Sequence, residues 1–149
     1  MHLRDATESD LPVFFENQRD PEAARMAVFT PRDHAAFYAH WRERILGRPD
    51  CLAMTIVVEG AVAGHVACWT SDGKRLVGYW IGRSYWGRGI ASEALQAFVT
   101  HHEKTRPLHA HVAVSNVASI RVLEKCGFRP TGDRTTGPDG VEDLLMELR

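Results

Sequence analysis

Tyr85-Trp86-Gly87-Arg88-Gly89-Ile90-Ala91-Ser92 is the stretch on which the fold is decided. Directly after its glycines, Ile90, Ala91, Ala94, Leu95 and Phe98 recur at helical spacing and make one apolar stripe. Ahead of it, Leu76 to Ile81 reads as a strand; beyond the helix, Leu108 to Val114 reads as another. A strand–helix–strand unit therefore encloses the glycines, and such units have parallel strands and a right-handed crossover. Unpaired N–H groups at the helix N-terminus, with the helix dipole behind them, make an anion site. Glycines let the backbone approach a phosphate closely, and Arg88 and Arg83 add positive charge. A lone Gly-x-Gly is also an ordinary strand-to-helix turn. Two phosphate motifs fail outright. A Walker loop needs Lys-Ser/Thr after the last glycine, where Ile90 stands; a dinucleotide fingerprint needs a third Gly or Ala where Ser92 stands and an acid at the end of the next strand, which ends Val114-Ser115-Asn116.

Working outward, Leu3 to Ala6 reads as a first strand, and Thr7-Glu8-Ser9-Asp10 as a helix start ahead of Leu11, Val13, Phe14 and Phe15. A second helical pattern follows Pro31 and runs through Ala36, Phe37, Ala39, Trp41 and Ile45 to Gly47. The period then changes. Leu52 to Val58, Val62 to Thr70 and Leu76 to Ile81 make an antiparallel meander, with Asp72-Gly73 as a hairpin turn. Ser115 or Asn116 caps a last helix carrying Val117, Ile120 and Leu123, and Gly127 stands at its C-terminal end. Two strands close the chain, Phe128 to Thr135 and Val141 to Leu148, turning at Gly137-Pro138-Asp139-Gly140. This order predicts an α/β (α+β) domain over residues 1–149, with a mixed, mostly antiparallel sheet of six to seven strands and helices on both faces.

Composition narrows the function classes. Eighteen Lys+Arg against 19 Asp+Glu leave no basic excess for a nucleic-acid backbone. No apolar run approaches the ~20 residues of a membrane span, and Met1-His2-Leu3-Arg4-Asp5 does not read as a signal-peptide core. Three cysteines (Cys51, Cys68 and Cys126) make no disulfide framework; Cys51 and Cys68 read as strand thiols of the core. His109 and His111 point the same way from one strand, but no third ligand is visible, so no metal site is expected. The expectation is a cytoplasmic protein, monomer or homodimer, with no nucleic-acid and no membrane partner.

Two segments carry a family resemblance. Gly78-Tyr79-Trp80-Ile81-Gly82 followed by Tyr85 to Ala94 resembles motif A of the GNAT superfamily, and Asn116-Val117-Ala118-Ser119 followed by Arg121 to Phe128 resembles its motif B. The wording is similar to the branch containing the ribosomal-protein N-terminal acetyltransferases. The resemblance implies the GNAT fold, with two central parallel strands that splay apart around acetyl-CoA. It places the pantetheine arm along the backbone of Ile81, Gly82 and Arg83, and the pyrophosphate on the amides of Gly87, Arg88, Gly89, Ile90, Ala91 and Ser92, beside Trp86. Asn116 is implied to reach the pantetheine, and Arg121 or Lys125 the adenosine end; both cations read equally as a solvated helix face.

The implied reaction is transfer of acetyl from acetyl-CoA to a primary amine, on a protein N-terminus or a small molecule, by direct attack in a ternary complex. The amine must lose a proton, and the departing thiolate gains from a hydrogen-bond donor. Here the chain departs from the family twice. The tyrosine commonly found before Glu-Lys of motif B is Leu123, and the glutamate commonly found before Gly-Tyr-Trp is Leu76. Ser119, one turn before Leu123, is the substitute acid, or a helix hydroxyl bonded to its own backbone. A two-residue turn at Asp72-Gly73 sets Ser71 opposite Lys74, hence His65 opposite Trp80 and Trp69 opposite Leu76. These four share the face where the missing glutamate belongs, which makes His65 the candidate base, or a structural histidine. Loss of both family positions keeps a second function open: a catalytically impaired acyl-CoA-binding regulatory domain.

Overall fold

In the computed structural model, which describes residues 1–136 and 140–149, the elements follow the expected order with one addition. β1 (His2–Asp5) leads through a 3-10 turn, Glu8–Asp10, into α1 (Leu11–Arg19) and α2 (Pro21–Ala27). α3 (His34–His40) continues as a π-helical turn, Trp41–Leu46. β2 (Leu52–Val58), β3 (Ala61–Ser71) and β4 (Lys74–Ile81) form the meander; α4 (Ile90–His101), β5 (Leu108–Ala113), α5 (Val117–Lys125), β6 (Arg129–Thr136) and β7 (Glu142–Leu148) complete the chain. The last turn, expected at residues 137–140, lies outside the described residues except for Gly140. Cys51 precedes β2 and is only half-buried, which corrects its placement as a strand thiol of the core. Its neighbours Arg48 and Asp50 form a turn that ties to β3, the Thr70 amide donating to Asp50 Oδ2 at 3.1 Å.

Among the described residues, seven strands lie in the order β1-β2-β3-β4-β5-β7-β6, and only β4 and β5 run parallel. The hairpin register is the expected one: Ser71↔Lys74, Trp69↔Leu76 and His65↔Trp80. Strand alternation sends successive residues to opposite layers. On one side, Met54, Ile56, Val66, Cys68 and Val77 pack under Leu95 and Phe98 of α4 and Leu123 of α5. On the other, Leu11 and Phe14 of α1 pack with Phe37 and Trp41, against Ala53 and Val62.

Asp10 holds the front of the sheet together. Its carboxylate accepts both guanidinium nitrogens of Arg4 (2.7 and 2.8 Å), the Thr55 hydroxyl (2.7 Å) and the Thr7 amide (3.0 Å). Burial pushes Asp10 upward, yet these donors outweigh it and bring its pKa to about 2. A residue that reads as a helix-start acid thus joins β1, β2 and α1. A second buried carboxylate, Glu103, ties α4 to β3 and β4 through Cys68 Sγ (2.7 Å) and Arg75 (2.9 Å).

Candidate active site

β4 and β5 are paired only at Arg75↔Leu108 and Leu76↔His109. Beyond Leu76 the two strands part, and the gap between them opens into a cavity of about 290 Å³. Its walls come from β4 (Tyr79, Trp80, Ile81), the glycine turn and the α4 N-terminus. Asn116 and Ser119 close it from α5, and Ala23 and Met26 from α2. Of the positions expected around the cofactor, Ile81, Trp86, Gly87, Gly89, Ile90, Ala91, Ser92 and Asn116 line this cavity; Gly82, Arg83, Arg88 and Arg121 do not.

Backbone conformation explains the glycines. Gly87 and Gly89 have φ of 76° and 73°, and a side-chain carbon built on either would meet nothing within 4 Å. The turn therefore needs glycine for its left-handed backbone and leaves open space above its amides. Gly89 is the N-cap of the twelve-residue α4, so the first free amides of that helix face the same space. A phosphate-bearing ligand fits these features. The two arginines have other partners: Arg83 pairs with Asp20 (3.2 Å) and Arg88 with Glu59 (2.9 Å). The groups this turn leaves free for an anion are therefore backbone amides rather than guanidinium groups.

Several backbone groups expected along the pantetheine arm already have partners. The Trp86 indole N–H donates to the Ile81 carbonyl (3.0 Å), the Gly82 amide donates to the Ala63 carbonyl (2.8 Å), and the Gly82 carbonyl accepts the Tyr85 amide (2.9 Å). Each carbonyl keeps a second lone pair. Asn116 caps α5, its Oδ1 accepting the Ser119 amide (3.3 Å), and its side-chain NH₂ stays available to the cavity.

Ser119 Oγ lies 2.6 Å from the Tyr79 hydroxyl, a strand-to-helix contact rather than a bond to its own helix. Burial raises the Tyr79 pKa to about 12, although the Ser119 bond pulls the other way, so Tyr79 stays protonated. Tyr79 is the site residue that sequence reasoning missed; it was legible only as a letter of the Gly-Tyr-Trp motif. Leu76 and Leu123, the two departures, are both core residues. Cys126 is buried, and burial raises its pKa, so no thiolate is poised there.

A second cavity, of about 540 Å³, opens on the α1 and α3 side of the sheet. Phe14, Phe37, Trp41, Trp69 and His65 line it, and it shares Tyr79 and Trp80 with the first. The His65 ring sits 5.0 Å from Phe14 and 4.7 Å from Trp41, edge-on to the latter. Burial alone lowers its pKa to about 4, so it is a neutral imidazole near pH 7. Trp80 is anchored by its indole N–H on the Asn17 carbonyl (3.2 Å) and by Phe29. His109 is buried against Glu147 (3.1 Å), and no group of three His, Cys, Asp or Glu side chains among the described residues is placed to hold a metal ion.

Comparisons with known proteins agree with this architecture. The family model for the acetyltransferase (GNAT) domain matches residues 1–129, and the chain belongs to that family. The uncharacterized N-acetyltransferase p20 of Bacillus licheniformis is 34% identical over 64 residues, which are 41% of this chain and 36% of that protein. The probable N-acetyltransferase YjcK of Bacillus subtilis is 37% identical over 59 residues, 38% of this chain and 33% of its own. These matches span about a third of the length of either relative. Among solved structures, aminoglycoside acetyltransferase AAC(6')-Ib with coenzyme A superposes with a TM-score of 0.79 at 20% identity, covering 99% of this chain and 94% of that one. Spermidine N-acetyltransferase of Vibrio cholerae, with CoA and spermine, gives 0.80 at 14% identity, covering 99% and 94%. Ribosomal-protein-alanine N-acetyltransferase of Brucella melitensis gives 0.76 at 20% identity, covering 99% and 98%. At these identities the likeness is one of fold.

Proposed function

We propose that the protein transfers an acetyl group from acetyl-CoA to a primary amine. The observation that carries this reading is the pair of cavities meeting at Tyr79 and Trp80. One has the glycine turn and free helix amides that suit a pyrophosphate and a pantetheine arm; the other is aromatic and holds a neutral imidazole. Fold neighbours crystallised with coenzyme A support the choice of donor, and neighbours named for aminoglycosides and spermidine support an amine as acceptor.

Acetyl-CoA supplies a thioester. The amine nitrogen forms a bond to its carbonyl carbon, the C–S bond breaks, and the sulfur leaves with the electron pair. The chain has two tasks. It must deliver the amine neutral, and it must meet the charge on sulfur. Desolvation in an aromatic cavity disfavours the ammonium form. His65, neutral near pH 7, takes the proton that the nitrogen sheds after bonding to carbon, when that proton is far more acidic than in the free ammonium. A base with a pKa of about 4 is poorly matched to a free ammonium near 8, which confines His65 to this later step. On the other side, Tyr79 and Ser119 share a hydroxyl–hydroxyl hydrogen bond in which either can donate, and with Tyr79 as donor the Ser119 proton is free for the sulfur.

The test is thiol release from acetyl-CoA with primary amines, for the protein itself and for Ser119→Ala and Tyr79→Phe. The expected result is amine-dependent release that both variants slow through kcat. Coenzyme A binding without turnover for any amine would replace this reading with that of an acyl-CoA-binding regulatory domain.

A further inference from the structure

The amine cavity has a charge pattern that the transfer reaction does not itself require. Three arginines line it (Arg32, Arg44 and Arg48) and no aspartate or glutamate does. Arg48 is neutralised by Asp50 at 2.5 Å and also donates to the Thr70 carbonyl. Arg32 and Arg44 make no ion pair among the described residues. Arg32 is nonetheless held in place. The buried Gln18 side chain clamps its peptide from both sides, its Nε2 donating to the Arg32 carbonyl (3.0 Å) and its Oε1 accepting the Arg32 amide (2.9 Å). The Arg32 guanidinium then lies 5.7 Å from the Phe29 ring centre, at the cavity rim. Arg44 projects from the π-helical turn that follows α3, a winding that recurs at functional sites.

His40, between them, registers the same field. Its pKa is lowered by burial first and then by the positive charges of Arg32 and Arg44. Two unpaired guanidiniums thus act on one point of the wall. A polycation entering here meets like charge with nothing to offset it, whereas a carboxylate meets two forked donors suited to its geometry.

Resting on the acetyl-transfer reading, we infer that the acceptor is a primary amine that also carries a carboxylate on an apolar body, with Arg32 and Arg44 holding the carboxylate at the rim. The carboxylate is not a reactant. It orients the molecule so that the amine points inward past His65 and Trp80 toward the thioester. The same positive field further disfavours an ammonium on the bound molecule. Two sources share this chemistry: a free amino acid, and a peptide N-terminus with an acidic side chain.

The experiment measures thiol release from acetyl-CoA with L-phenylalanine, L-phenylalaninamide, the dipeptide amide Asp-Phe-NH₂ and spermidine. The expected result is a kcat/KM at least about tenfold higher for a carboxylate-bearing acceptor than for L-phenylalaninamide or spermidine. Which of the two carboxylate-bearing acceptors turns over identifies the source. Arg32→Gln and Arg44→Gln, both at exposed positions, should each reduce that preference about tenfold through KM, and Arg32→Glu should reverse it toward spermidine. A preference for L-phenylalaninamide or spermidine in the unaltered protein, or arginine variants that slow all acceptors equally, would overturn the inference while leaving acetyl transfer intact. Coenzyme A binding with no turnover of any amine would remove the transfer reading and this inference together.

Discussion

At the scale of single residues, the proposed reaction divides the site into groups that would face sulfur and groups that would face nitrogen. Ser119 and Tyr79 are proposed for the first. Ser119→Ala and Tyr79→Phe should each lower kcat about 10- to 100-fold and leave the coenzyme A dissociation constant within about twofold, read by steady-state kinetics and calorimetry. Equal losses in affinity and turnover would make the pair a packing contact. His65 is proposed for the second group. Because burial brings its pKa to about 4, the rise of kcat/KM between pH 6 and 9 should follow the acceptor amine, and His65→Ala should lower kcat without moving that limb. A limb near 6.5 that disappears in His65→Ala would contradict so low a pKa. The two groups were unequally legible. His65 could be placed because a two-residue Asp72-Gly73 turn fixes every pairing of its hairpin. Tyr79 could not, because its partner Ser119 lies 40 residues away, and no local pattern announces a strand-to-helix contact of that span.

At the scale of elements, the glycine turn is the part most fully determined by local chemistry. Its residue types, its left-handed backbone and its position before α4 say the same thing. Gly89→Glu should therefore weaken coenzyme A binding by tenfold or more, since it adds strain, bulk and negative charge where a pyrophosphate would sit. Gly89→Asn, which tolerates φ near 73°, separates the parts: it should retain the fold and more of the affinity than Gly89→Glu. Affinity retained in Gly89→Glu would displace the site from the turn. Other elements were harder to read. The seven-residue α2 has no long apolar stripe, yet its start is marked: Asp20 caps it through the Glu22 amide (3.1 Å), with Pro21 at its first position. The π-helical winding at Trp41–Leu46 has no sequence signature in the Phe37, Trp41, Ile45 spacing, because one inserted residue per turn barely disturbs so short a stripe.

At the scale of the whole molecule, the parting of β4 from β5 creates both the core boundary and the site. The parallel pair was foreseeable from the strand–helix–strand unit, while the parting of its strands was implied only by the family resemblance, and its restriction to two residue pairs is a finding of the structure. The same sheet is secured by buried carboxylates, and these set its response to acid. Asp10 and Glu103 both have pKa values brought to about 2 against the upward push of burial, below the ordinary values near 4 of an unfolded chain. His65, at about 4, lies below its unfolded value near 6.5. In all three cases the unfolded state binds protons more tightly, so their contribution is fully present above the unfolded values and declines as pH falls toward the folded ones. Stability should therefore fall as pH drops from about 6.5 toward about 2. Urea midpoints at pH 7, 5 and 3.5 check the direction, and Asp10→Asn should both lower the midpoint at pH 7 and flatten its acid dependence. An acid-insensitive midpoint would mean that these groups titrate alike in both states.

The central claim is that the protein transfers an acetyl group from acetyl-CoA to a primary amine. Mass spectrometry of a primary-amine panel incubated with the protein and acetyl-CoA, alongside thiol release, tests it most directly. The expected result is one acetyl group gained per amine for each thiol released, at a rate proportional to protein. Coenzyme A that binds while every amine remains unacetylated, with thiol release no faster than in its absence, would contradict the claim.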